Sequence, residues 1–290
     1  MKASPIGLRS EPLAKHTSLR IGGPAEYYVR VTSERDLVGA VAVAHEHELP
    51  VFILGAGTNL LVADDGIKGV VLHNDWAETE VDGTTITASS GTPMASVAAV
   101  AARNGIIGLE WMATVPGTVG GAVHGNAGAF GKETKDDLVD AELMDLTGRR
   151  WTATNADLAF AYRTSALQGT PTIVLRARFR GQAGDRETAV RRIKEMANER
   201  MAKQPLAQPN TGSIFRNPPG DHAGRLVEAA GLKGATEGGA MVSTKHANFI
   251  VNIGDASARD VRTLMERCQR AVRDQFGVEL VPEVELVGEW

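Results

Sequence analysis

The chain has 290 residues, 43% hydrophobic and 23% charged, with a net charge of −4. That length supports two or three modules with cores of their own. The mild acidity excludes a general affinity for nucleic acid or anionic membrane, and no apolar run approaches the ~18 residues of a membrane span. The opening "MKASPIGLRSEP" lacks the apolar core of a leader peptide; the single cysteine, Cys268, rules out an internal disulfide and fits a reducing cytoplasm.

"YYVRV" (27–31) reads as a strand. Ser33 offers an N-cap with Asp36 three residues on, which opens a helix to about Glu48. "VFIL" (51–54) is a buried strand running into "GAGTNLL" (55–61). A second segment begins near Thr79 with a hairpin turning at Asp82-Gly83. Pro93 starts a small-residue helix that Gly105 stops. After "VPGTVGGAVHGNAGAFG" (115–131) come strands at 139–146, broken by the "DLTG" turn, and at 172–180. The third segment opens with a charged helix from about Asp185 to Lys203, whose basic residues are interleaved with Glu187, Glu195 and Glu199, as on a solvated face. A short helix at 223–230 stops at Gly231, "NFIVNI" is a strand, and a long helix spans 257–276. On that helix Val261, Leu264, Met265, Cys268, Val272 and Phe276 share one face, so Cys268 is read as core.

Two glycine loops could cradle phosphates. In "GAGTNLL" a strand ends in small residues that let backbone N–H groups converge on an anion, yet Leu60 stands where a dinucleotide fingerprint needs its third glycine. In the second loop, Pro116 and Gly117 make a turn, Thr118 can cap a helix or bond a phosphate, and Gly120-Gly121 let backbone approach a ligand. Eight glycines or alanines within 117–129 leave almost no side chain to pack, and a close ligand would explain so bare a loop. Two such loops in successive segments suggest one long diphosphate ligand between them. "HEHEL" (45–49) lacks the second histidine of a zinc helix, since Leu49 occupies its place; His45 and His47 are read as surface residues.

"HTSLRIGGPAEYYV", "GAGTNLLV", "GLEWMATVPGTVGGAVHGNAGAFG", "FAYRTS", "GSIFRNP", "GGAMVSTKHANFIVN" and "VPEVELVG" follow one another across nearly the whole chain. Together they resemble the UDP-N-acetylenolpyruvoylglucosamine reductases, also called UDP-N-acetylmuramate dehydrogenases. The resemblance implies an α+β fold: a two-subdomain FAD-binding unit of the vanillyl-alcohol-oxidase/p-cresol-methylhydroxylase type plus a C-terminal α+β substrate-binding domain. The expected divisions are 1–78, 79–182 and 183–290. FAD would be bound without a covalent link, so His124 is expected to make a packing or polar contact. The cofactor contacts are expected on Gly55, Ala56, Gly57, Thr58, Asn59 and Leu60, then Pro116, Gly117, Thr118, Gly120 and Gly121, then Asn126, Ala127 and Gly128.

In that family NADPH is the electron donor and FAD N5 delivers hydride to an enolpyruvyl ether on a sugar nucleotide, giving a lactyl ether. An enolpyruvyl double bond accepts hydride only when its carboxylate is polarised, and the carbon left behind needs a proton. By position, Arg163 in "YRTS" matches the carboxylate-clamping arginine and Glu283 in "VPEVELVG" the supporting glutamate. Ser213 in "GSIFRNP" supplies the proton; as an acid it needs no histidine base. Asn217 matches a substrate-binding asparagine, with Asn248 and Lys203 as further candidates, and Arg200 could reach FAD, a phosphate or only the helix surface. Glu285 departs from the pattern, because relatives often carry a basic residue there. No tyrosine follows Tyr162, and Arg163 and Ser213 are 50 positions apart, which implies the shorter branch of the family, without a tyrosine lid. The substrate partner is a small sugar nucleotide, with no nucleic acid or membrane, and the chain is expected to act as a cytoplasmic monomer. Two other functions stay open on the residues: another flavoprotein acting on a sugar or alcohol, and a sugar-nucleotide-binding protein that has lost its chemistry.

Overall fold

A computed structural model describes residues 7–290; the start of the segment read above as lacking a leader core, residues 1–6, lies outside the described residues. The chain gathers into two compact units interleaved in sequence. The first holds Tyr27–Ala56 and Gly69–Arg200, with Gly7 and Leu8; the second holds Arg9–Glu26, Gly57–Lys68 and Met201–Trp290.

In the first unit, β1 (Pro24–Val31), α1 (Glu34–Glu46), β2 (Val51–Leu54) and β3 (Ile67–Asn74) build one layer. Ser33 caps α1 as its residue type requires, its hydroxyl accepting the Asp36 N–H at 3.1 Å. Strand β3 lies between β1 and β2 and runs parallel to β2, with Val51 opposite Val70. Their apolar faces enclose Leu37, Val41, Val70, Leu72 and Trp76, and Met144, Ile173 and Leu175 join that core.

The hairpin expected at Asp82-Gly83 is β4 (Thr79–Asp82) and β5 (Thr85–Ser89), with Asp82 opposite Thr85. Helix α2 spans Met94–Arg103 and a short α3 Val119–Gly125. Strands β6 (Leu138–Asp145), β7 (Arg150–Thr154) and β8 (Thr172–Arg180) complete a five-stranded antiparallel sheet in the order β7-β6-β8-β5-β4. Alternation along β8 buries Ala177 and Phe179 while Arg176 and Arg178 face out. Those arginines pair with Glu34, Glu78 and Asp140. Beneath the sheet, α2 and α3 pack Val97, Ala101, Val119 and Val123 against Trp111, Met112 and Phe179.

Helix α4 (Arg186–Lys203) carries the chain to the second unit, which contains α5 (Ala223–Ala229), β9 (Ala240–Val242), β10 (Ile250–Asn252) and α6 (Ala258–Phe276). Ser257 and Asp260 cap α6 reciprocally, and Gly277 ends it at φ +67°. Val261, Leu264, Met265, Cys268 and Val272 are buried as their spacing predicts, whereas Phe276, in the last turn, is 39% exposed. Burial pushes the Cys268 thiol up to about 12. The native protein is therefore expected to resist iodoacetamide at pH 8 and to take one label only after unfolding, read by intact mass; rapid native labelling would contradict a buried Cys268.

A parallel pair of strands, Leu60–Val62 beside Glu285–Val287, also belongs to the second unit. It brings the end of the first glycine loop to the C-terminal motif.

Candidate functional site

In the first unit, the middle of the stretch read as a bare loop, Val119–Gly125, folds into helix α3. Val119, Ala122 and Val123, at i, i+3 and i+4, enter the core and offset the cost of about 1 kcal/mol per helical glycine. The amides that begin α3 are committed to protein: Val119 N–H donates to the Thr92 carbonyl at 2.9 Å and Gly120 N–H to that of Ser90 at 2.8 Å. Thr118 stands at the N-cap without a side-chain cap bond. A ligand is therefore not the sole reason for the small residues. A Cβ at Gly120 would fall 3.0 Å from the Ser90 Cβ, and in the second unit one at Gly57, where φ is +58°, would fall 2.2 Å from the His16 carbonyl oxygen.

The two glycine stretches do meet in the first unit. A Cβ at Gly55 would lie 2.6 Å from Thr118 Oγ1. Ala56, Pro116 and Gly121 are exposed, and a Cβ at Gly121 would meet only Thr118 Oγ1, at 3.8 Å. The outward side at Pro116 and Gly121 is thus open, as a bulky group such as FAD requires. Behind that turn, Arg200 Nη1 donates to the Thr114 carbonyl, and burial lowers the guanidinium pKa. The sequence left open FAD, a phosphate or the helix surface for Arg200; one of its partners is the protein backbone.

Asn126 ends α3 in the left-handed conformation, at φ +47°. Its side chain is fully buried: Nδ2 donates to Glu133 Oε2 at 3.1 Å and to the Ala161 carbonyl at 2.8 Å, while Oδ1 accepts the Lys135 N–H. Gly128 pairs with Glu133 across a two-residue hairpin that follows Ala127. Arg163 stands beside this hairpin, its own φ at +58°, a conformation that costs a non-glycine residue about 1 kcal/mol or more. Its Nη2 donates to the Gly128 carbonyl at 3.1 Å, its Nη1 lies 3.4 Å from Glu133 Oε1, and its guanidinium carbon is 4.9 Å from the centroid of the Tyr162 ring. Gln168 Nε2 donates to the Arg163 carbonyl, and Ser165 Oγ donates to that of His124. Arg163 and the end of the glycine stretch are thus fastened together.

In the second unit, Ser213 and Glu283 are brought together from 70 positions apart. Ile214 N–H donates to the Asn248 carbonyl, the Ile214 carbonyl accepts the Glu283 N–H at 2.8 Å, and Phe215 bridges to Pro282. Burial of Ile214 and Phe215 pins this segment. Asn248, expected as a substrate ligand, is buried with its carboxamide directed to one residue: Oδ1 accepts the Phe215 N–H at 3.0 Å and Nδ2 donates to the Phe215 carbonyl at 2.8 Å. Asn59 holds Glu283 from the other side, its Nδ2 donating to the Glu283 carbonyl at 3.0 Å and its own carbonyl accepting the Glu285 N–H at 2.9 Å. Thr58 precedes this contact and Leu60 pairs with Glu285. Asn217 Oδ1 accepts the Ala223 N–H at the start of α5, and Lys203 lies exposed at the end of α4. Asn59, Asn126, Asn248 and Glu133 share one use that residue type alone does not disclose: they hold backbone or other side chains in place.

Two family models match the chain. An FAD binding domain covers residues 25–154 and the C-terminal domain of UDP-N-acetylenolpyruvoylglucosamine reductase covers residues 204–287. The fold is α+β, and its glycine-lined first unit carries the FAD-binding domain of a flavoprotein. A UDP-N-acetylenolpyruvoylglucosamine reductase of Symbiobacterium thermophilum is 45% identical over 97% of this chain and 92% of its own, and one of Caldanaerobacter subterraneus is 43% identical over 97% and 93%. The crystal structure of UDP-N-acetylenolpyruvylglucosamine reductase from Thermus caldophilus superposes with a TM-score of 0.83 at 34% identity, covering 97% of this chain and 99% of that one. The chain belongs to the UDP-N-acetylenolpyruvoylglucosamine reductase family.

Proposed function

We propose that the protein uses NADPH to reduce the enolpyruvyl ether of UDP-N-acetylglucosamine enolpyruvate to UDP-N-acetylmuramate, a step in making peptidoglycan precursors. Beyond family membership, one observation carries this reading: the second unit sets Ser213 beside Glu283 through the Ile214–Glu283 backbone bond. Bound FAD supplies the hydride chemistry that no side chain can supply. The residues that would hold it are Gly55, Ala56, Gly57, Thr58, Asn59 and Leu60, the turn Pro116–Thr118 with Gly120 and Gly121, and Asn126, Ala127 and Gly128.

Arg163 grips the substrate carboxylate with its planar fork, which draws electron density from the double bond. Glu283 supports the polarised carboxyl group, and the Ser213 hydroxyl protonates the carbon that becomes carbanion-like. Asn217 and Lys203 serve the sugar nucleotide; Asn248 serves it indirectly, by holding the Ser213 segment. We assign the three divisions 1–78, 79–182 and 183–290 to two cofactor-binding subdomains and a substrate domain. The protein acts as a monomer, in the cytoplasm where such nucleotide precursors are made, and without a tyrosine lid. No helix among the described residues is long and apolar enough to cross a membrane.

The purified protein is expected to be yellow and to bleach anaerobically with NADPH. The colour is expected to return on adding UDP-N-acetylglucosamine enolpyruvate without oxygen, with parallel double-reciprocal plots in the steady state. Re-oxidation by oxygen alone would favour an oxidase of another substrate. A colourless protein that still binds the sugar nucleotide would leave a binding function only.

A further inference from the structure

We propose that Glu133 is the positioning residue for Arg163, the group that sets the guanidinium in the pose from which it receives the substrate carboxylate. The inference rests on the reading of Arg163 as that clamp. An arginine side chain gives up rotamer entropy when it is fixed, and a fork ordered beforehand loses less on binding. The structure orders this fork from two sides, through the Gly128 carbonyl and Glu133 Oε1. The Glu133 carboxylate is itself held: Oε2 accepts Asn126 Nδ2 at 3.1 Å and lies 2.9 Å from Lys135 Nζ. Glu133 also stands at the N-cap of the one-turn helix Thr134–Asp137, where its N–H donates to Asp136 Oδ2 at 2.8 Å. Asn126 joins both ends of this arrangement, because the same Nδ2 donates to the Ala161 carbonyl two residues before Arg163.

The two side chains are 16% and 21% exposed, sheltered enough for the pair to be ordered and open enough for an incoming anion. Their contact is 3.4 Å, longer than the 2.7–2.9 Å of a tight charge-assisted bond. Glu133 therefore holds Arg163 by a long contact, and a carboxylate with closer geometry can share the guanidinium. Sequence spacing hides the role, since Glu133 lies 30 positions before Arg163, in a segment whose own motif is the glycine stretch.

Glu133→Gln keeps the side-chain volume but can aim N–H donors at the guanidinium. In the FAD-loaded protein, stopped-flow re-oxidation of the reduced flavin by UDP-N-acetylglucosamine enolpyruvate should slow about 10- to 100-fold, the usual consequence of a small misplacement of a catalytic group. The rate of flavin reduction by NADPH should stay within about twofold. Arg163→Ala should slow re-oxidation more, and adding Glu133→Gln to it should slow it no further, because Glu133 acts only through Arg163. Glu133→Asp retains the charge with shorter reach and should fall between wild type and Glu133→Gln; it also serves if the glutamine variant loses its flavin. Additive losses in the double variant overturn the inference, as does an aspartate variant no faster than the glutamine one. If Glu133→Gln behaves as wild type while Arg163→Ala is slow, the clamp stands and the positioning role falls. If Arg163→Ala itself re-oxidises at the wild-type rate, the clamp reading fails and the inference falls with it.

Discussion

Ser213→Ala is expected to leave flavin binding and its reduction by NADPH nearly intact, while re-oxidation by the enolpyruvyl substrate slows by about 10²–10⁴, or about 3–5 kcal/mol of transition-state stabilisation. The magnitude is that of a positioned general acid. The split between half-reactions follows from the assigned role, since only the second leaves a carbon in need of a proton. The environment of the serine should survive the substitution, because Ile214 and Phe215 are fixed by burial and by backbone bonds to Asn248 and Glu283, none of which uses the hydroxyl. Ser213→Cys should recover part of the rate, since a thiol is also an acid of similar reach. Stopped-flow measurement of each half-reaction decides the matter: equal slowing of both in Ser213→Ala would mean that the serine shapes the site and donates no proton.

Asn248→Ala is expected to lower the stability of the second unit by about 2–5 kcal/mol, because it orphans both the N–H and the carbonyl of a buried residue, Phe215, at roughly 1–3 kcal/mol each. The same change should slow flavin re-oxidation, since the Phe215 peptide it releases is two residues from Ser213. Chemical denaturation alongside substrate kinetics distinguishes the brace from a ligand. A brace lowers the denaturation midpoint, whereas a ligand raises KM and leaves the midpoint where it was. An unchanged midpoint would refute the brace.

Much of the secondary structure was legible because its signals are local. Ser33 and Ser257 cap helices, Gly277 ends one, and the spacing of Val261, Leu264, Met265, Cys268 and Val272 marks a buried face. The second glycine stretch was misjudged for a physical reason. Its small-residue content resembles a loop, and the stabilisation of α3 comes from a core built by β8, Trp111 and Met112, distant in sequence. For Asn248 the sequence does not separate two roles, since an asparagine in a functional motif has the same chemistry whether its carboxamide faces a ligand or, as here, the Phe215 peptide.

The sequence by itself determined most of the helices and strands, the second glycine stretch excepted, and through its ordered motifs it determined the family; Arg163, Ser213 and Glu283 are the residues it offers for the proposed chemistry. Those properties depend on capping, periodicity and side-chain identity, all carried within a few neighbouring residues. Only the tertiary structure decided that residues 9–26 and 57–68 join the C-terminal stretch in one unit, that Leu60–Val62 pairs in parallel with Glu285–Val287, and that Asn59 holds the Glu283 peptide while Glu133 faces Arg163. Backbone hydrogen bonds between strands are nearly indifferent to side-chain identity, so which strands pair is settled by what they jointly bury, and no short stretch of chain contains that information.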